Sequence, residues 1–292
     1  MKKQWKVIGA ALGEGAQIIG TKLGSDYCDN QHLIQTLEEN GISLLWLETL
    51  ISNLEKKSAL AIVQDFCERL AQKTAALKKQ GEYPLVIGGD HSVAIGTWSG
   101  ITSALKAEQN FGLIWIDAHM DAHTFETTPS KAIHGMPVAT LLGHGDSYLT
   151  RLSSLQAKIA PQHLVLIGVR SYEPGEAKLL RDNKVKIFYM EDVKSRGFAT
   201  VWQEAMSYLQ QQVSSFGISI DLDGFDPIVA PGVGSREKDG LMPAEVLPCL
   251  QGLAWDPNCE GIEIVEFNPD RDKNDATYQL IQQLIHTMFL KK

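Results

Sequence analysis

Nowhere do about 18 uncharged apolar residues follow one another in this 292-residue chain, and no apolar stretch of secretory length follows Met1-Lys2-Lys3-Gln4-Trp5. Neither membrane insertion nor export is expected. Cysteine is scarce: Cys28, Cys67, Cys249 and Cys259 form no CxxC pair and lie far apart, which points away from a disulfide framework and toward a reducing, cytoplasmic setting. The Lys and Arg residues are not clustered and the net charge is -8, so the footprint of a nucleic-acid binder is missing. There is no GxSxG elbow and no cysteine in a catalytic context, which excludes the commonest covalent hydrolase routes. Gly9, Gly13 and Gly15 miss the GxGxxG spacing, and Thr21-Lys22 reverses the order a P-loop needs.

What is present is ordinary for a globular chain, with 44% hydrophobic and 21% charged residues, and the length fits one domain spanning 1–292. Short apolar runs recur at 7–12, 44–47, 84–87, 113–116, 164–169, 186–189, 218–222 and 262–267, about eight strands by run length. Helical periodicity fills the intervals, notably 54–79, 200–212 and 275–289. This alternation predicts an α/β fold with a mainly parallel sheet covered by helices. An open doubly wound sheet and a closed barrel both satisfy it, and both place ligands at the carboxyl ends of the strands. The segment 223–240, rich in Gly and Pro, reads as a long ordered loop lining a site.

Three of the predicted strand ends carry chemistry. Asp117-Ala118-His119-Met120-Asp121 follows an apolar run, and continued extension throws Asp117, His119 and Asp121 onto one face. Asp221 and Asp223 repeat the pattern, and Gly88-Gly89-Asp90 aims His91 at the same edge. Four carboxylates and two imidazoles crowded together repel or go unsatisfied unless something positive sits among them. Oxygen-rich ligands with some imidazole suit manganese better than the sulfur-rich structural zinc sites.

These residues resemble the ureohydrolase (arginase and agmatinase) family, through five motifs in order over almost the whole chain: GGDH at 88–91, DAHMD at 117–121, HGMP at 134–137, DLDGFDP at 221–227 and EFNP at 266–269. The stretch Thr127 to Ala139 looks most like bacterial arginases. The resemblance implies a three-layer fold with an open sheet, and a trimeric or hexameric assembly. It implies two Mn2+ per subunit, one held by His91, Asp117, Asp121 and Asp221, the other by Asp117, His119, Asp221 and Asp223, with a bridging hydroxide attacking a guanidinium carbon. His134 matches the proton shuttle and Glu266 the carboxylate that pairs with guanidinium; with Asp121 they are the expected catalytic residues.

The outer pocket departs from the arginase pattern. Arginases carry Asn where this chain has His123, Ser-Gly-Asn where it has Ser130-Lys131-Ala132, Asp-Pro-Gly-Glu where it has Glu173-Pro174-Gly175-Glu176, and Thr at Ser235. His123, Ser130, Glu173 and Ser235 are the expected substrate contacts, with arginine ahead of agmatine, other guanidino acids and formiminoglutamate. Glu173 is expected to take the α-amino group, Ser130 and His123 to donate to the carboxylate, and Lys131 to add positive charge. A metal-binding protein without catalysis and a mononuclear zinc deacetylase are the rival readings.

Overall fold

The computed structural model describes residues 3–53, 57–106 and 109–291. Eight strands, β1 (Gln4–Ala11), β2 (Leu45–Ile51), β3 (Glu82–Ile87), β4 (Phe111–Ile116), β5 (Leu164–Val169), β6 (Lys186–Tyr189), β7 (Ser215–Asp221) and β8 (Cys259–Val265), form one sheet in the order β2-β1-β3-β8-β7-β4-β5-β6. Every pairing is parallel and the sheet is open, so the barrel alternative falls away. β4, β5, β7 and β8 are buried along their whole length, as helices on both faces of a parallel sheet require. β2 is an edge strand and leaves Leu45, Leu47 and Ile51 exposed.

The eight expected runs are the eight strands, with shifted ends. β1 begins at Gln4 because Gln4 and Lys6 still pair with β3, and β2 runs on to Ile51 because β1 offers partners that far. At the other end, Leu12, Leu222 and Phe267 fall outside β1, β7 and β8. Residues 54–56 of the helix expected from Leu54 lie outside the described residues; the helix itself is Ala59–Lys79, capped by Ser58 Oγ accepting from Ala61 N at 3.3 Å. Its buried stripe, Ile62, Val63, Phe66, Cys67, Leu70, Ala71, Thr74 and Leu77, follows the helical period. It packs against the helix Val93–Ala104 at Gly96 and Gly100, where a Cβ on Gly100 would lie 2.2 Å from Ala71 O. Only glycine permits that approach, and the helix it seats is the one that follows His91. The helix expected over 200–212 is Phe198–Gln210, and the last helix is Ala276–Phe289. All four cysteines are free, and no described helix is long and apolar enough to cross a membrane.

Candidate active site

Four neighbouring strands, β3, β8, β7 and β4, end at one point of the sheet, and each delivers part of the site. After β3, Gly88 and Gly89 take φ of +93° and +81°, a region that favours glycine, and turn the chain so that His91 faces inward. After β8, Glu266 holds φ +67° while its N–H donates to Gly89 O at 2.9 Å. That strained backbone aims its carboxylate back under His91.

The expectation of an extended Asp117–Asp121 is corrected here. β4 stops at Ile116, and the Asp117 Oδ1 accepts from the His119 N–H at 2.7 Å, closing a tight turn. Asp121 then sits at φ +50°. β7 ends the same way: Asp221 Oδ1 accepts from Asp223 N at 2.7 Å, and Leu222–Gly224 form a single 3-10 turn. The side chains converge because carboxylates bend the backbone that carries them, not because a strand alternates.

His91 Nδ1 lies 3.3 Å from Asp117 Oδ2, 3.0 Å from Asp121 Oδ2 and 2.9 Å from Asp221 Oδ2. His119 Nδ1 lies 3.4 Å from Asp117 Oδ1 and 3.2 Å from Asp223 Oδ2. Asp117 thus turns one oxygen to each imidazole. Burial and the neighbouring Asp charges push Asp221 well above the carboxylate range and Asp121 up to about 7. Burial works against charge on His91 and His119, yet the surrounding carboxylates hold both well above the ordinary imidazole value. Burial would raise Asp117 too, but His119 and His91 hold it low. The cluster is short of positive charge.

Asp223 Oδ1 and Glu266 Oε2 are buried without a hydrogen-bond partner. Such orphaned atoms are costly in a packed interior. His91, Asp117 and Asp221, and separately Asp117, His119 and Asp223, each bring ligand atoms within 4.8 Å of one another. The donor set, carboxylate oxygens with two imidazole nitrogens, fits a divalent cation in each group.

Glu266 Oε1 accepts from His91 N–H at 2.9 Å and faces His134 Nδ1 at 3.0 Å. Burial opposes charge on His134, but Glu266 outweighs it and His134 is pushed up to about 9. The same pairing holds Glu266 below its usual value against the effect of burial.

A cavity of about 200 Å³ opens beside the cluster, lined by His119, Asp121, His134, Asp221 and Asp223 and also by His123, Ser130, Glu173 and Ser235. His123 Nε2 is 2.9 Å from Glu173 Oε2 and its Nδ1 3.1 Å from Thr127 Oγ1, so both ring nitrogens have protein partners. Ser130 Oγ accepts from Ala132 N at 3.2 Å. Lys131 is exposed and donates its ammonium to Phe125 O, away from the residues that line the cavity.

Sequence reasoning assigned no role to Gln17 and Glu176, which also line the cavity. Glu176 accepts from the backbone of Glu173 at 3.0 Å and of Ala122 at 3.2 Å, tying the two walls together. The Pro-Gly-Glu at a helix start was its only signal; Gln17 had none. Trp115, stacked on His91 with ring centroids 4.0 Å apart and planes 8° apart, was hidden within a strand that read only as apolar.

Residues 3–290 match the profile of the Arginase family. The arginase of Bacillus caldovelox is 40% identical over 80% of this chain and 77% of its own length. That of Bacillus subtilis is 35% identical over 100% and 99%. The crystal structure of arginase from Bacillus cereus superposes with a TM-score of 0.92 at 34% identity, covering 100% of this chain and 99% of that one. With the family profile matched across nearly all its length, the chain belongs to the arginase family and is a hydrolase of that family.

Proposed function

We propose that this chain hydrolyses L-arginine to L-ornithine and urea, using two Mn2+ per subunit. The observation that carries the reading is Asp117, whose two oxygens face two separate imidazoles, with a further buried carboxylate, Glu266, bound to the backbone N–H of one of them. His91, Asp117, Asp121 and Asp221 would hold one ion, and Asp117, His119, Asp221 and Asp223 the other. Such ions, when bound, would supply positive charge and a hydroxide nucleophile at neutral pH by bringing the pKa of water toward about 7.

The rest falls to the chain's own side chains. Glu266 has a free Oε2, and a guanidinium group is the planar cation that such an oxygen holds best. A cation bound there competes with His134 for the same carboxylate and removes part of what keeps the imidazole protonated. His134 can then release its proton to the departing amine. Elsewhere in the cavity lining, Glu173 is the acceptor for an α-ammonium, held by His123, while Ser130 and Ser235 offer hydroxyls to a carboxylate. The name arginase carried by the similar Bacillus proteins supports this substrate over agmatine, guanidino acids and formiminoglutamate.

Urea release from arginine, agmatine, guanidinobutyrate and guanidine, with ammonia release from formiminoglutamate, tests it. Arginine is expected to have the highest kcat/KM, and a higher value for agmatine, which lacks the carboxylate, overturns the arginine assignment. A well-folded protein with no turnover on any of them favours a metal-binding protein without catalysis, and one ion per subunit favours the mononuclear zinc alternative. The four free cysteines support a cytoplasmic setting. The trimer or hexamer expected from the resemblance is read by light scattering.

A further inference from the structure

Beneath His91 the sheet register lines up Trp115 of β4, Ser219 of β7 and Glu263 of β8, each the direct partner of the next across neighbouring strands. His91 stacks on Trp115, and its Nε2 lies 2.8 Å from Ser219 Oγ. Ser219 Oγ in turn donates to Glu263 Oε1 at 2.7 Å, and Trp98 Nε1 donates to the same oxygen at 3.1 Å. Glu263 and Ser219 are completely buried. Between the apolar Ile262 and Ile264 a buried carboxylate is costly, and the hydrogens it takes from Trp98 and Ser219 are what hold it there.

We propose that Ser219 and Glu263 are positioning residues that fix the tautomer and orientation of His91 for metal binding; this rests on the metal reading above. A serine hydroxyl has a single hydrogen, and Glu263 Oε1, which also takes the Trp98 N–H, acts as an acceptor. With that hydrogen given to Glu263, Ser219 Oγ must accept, and the His91 nitrogen facing it must carry a proton. His91 Nε2–H is therefore set by the relay, and Nδ1, on the side of Asp117, Asp121 and Asp221, is the nitrogen that would give its lone pair to an ion held there. The stack on Trp115 prevents the ring from tilting out of this line. Without the carboxylate, the hydroxyl is free to turn its hydrogen toward Nε2, which favours Nδ1–H, a form that cannot ligate. His119 lies outside this relay, since Glu237 faces its Nε2 instead, at 3.7 Å. The relay thus acts on one of the two ions.

The test titrates metal-stripped wild-type protein, Ser219→Ala, Glu263→Gln and the double variant with MnCl2, reading free Mn2+ by electron paramagnetic resonance. Wild type is expected to bind two ions per subunit. Ser219→Ala is expected to weaken one of them by about 10- to 100-fold, the usual range for losing such a supporting contact, with the other unchanged. Glu263→Gln, nearly isosteric and still an acceptor for Trp98, falls between. The double variant is expected to bind no more weakly than Ser219→Ala, because the two residues act through one chain of bonds. Melting temperatures of the metal-free forms register any general loss of folding. Wild-type affinities in both single variants, equal weakening of both ions, or additive losses overturn the relay. Wild-type protein that takes up no Mn2+ overturns the metal reading and the relay with it.

Discussion

His134, which lines the cavity, and the buried Glu266 meet at 3.0 Å, and their pairing determines how both behave. An imidazole pushed up to about 9 is protonated at neutral pH, ready to donate but poor at accepting. A proton donor acts chiefly in the transition state, so His134→Ala is expected to lower kcat by roughly 10²- to 10⁴-fold while KM changes far less. Steady-state kinetics on arginine decides it, and unchanged kcat with a raised KM makes His134 a binding residue instead. The same pair predicts a pH effect on the metal-free protein. His134 is raised when folded, so its contribution to stability is complete below the ordinary imidazole value of about 6.5 and is lost as pH rises through about 9. Denaturant melts of wild type and His134→Ala from pH 6 to 10 are expected to converge at the alkaline end. Divergence there removes the ion pair as the cause.

Of the loop expected over 223–240, Asp223 and Gly224 belong to the 3-10 turn after β7, and 225–240 has no strand or helix of its own, yet it is held firmly. Arg170, just past β5, donates to Asp223 O at 2.8 Å, Gly224 O at 3.1 Å, Glu237 O at 2.9 Å and Lys238 O at 3.0 Å. One planar fork therefore joins the far end of the loop to the turn that carries Asp223. Lysine has the charge but a single point of attachment, and cannot span these carbonyls. Arg170→Lys is expected to cost about 2–3 kcal/mol in urea unfolding, the scale of a charged hydrogen bond lost with its buried carbonyl left unpaired, and to speed proteolysis within the loop. Resistance to protease equal to wild type counts against this role. Glycine and proline content made the loop legible in the sequence. Its anchor was not, because Arg170 reaches carbonyls more than fifty residues away in the chain.

For the molecule as a whole, the proposed cations would stabilise the folded chain by binding among the crowded carboxylates. Mn2+ at about 100 times its Kd adds roughly 2.7 kcal/mol per site, which for a chain of this size raises the melting temperature by about 4 °C for each site filled. Chelation followed by a thermal scan, then Mn2+ addition, checks it; equal melting temperatures with and without the ion contradict the cation sites. The eight strands were legible because a sheet buried on both faces demands unbroken apolar runs, a pattern that local composition records directly. Their ends were less so, since the ladders stop where neighbouring strands stop offering partners. The six ligand candidates were legible by type, because Asp and His crowded at buried strand ends are costly unless a cation holds them together. Their geometry was not: the sequence suggested alternation along a strand, and Asp117 and Asp221 instead fold turns around their own carboxylates. His123 could be read as standing where arginases have Asn, but only packing decided that its ring lies between Glu173 and Thr127. Local periodicity and residue type belong to the sequence alone. Which groups face one another depends on strand order and register, and those are settled only when distant segments pack.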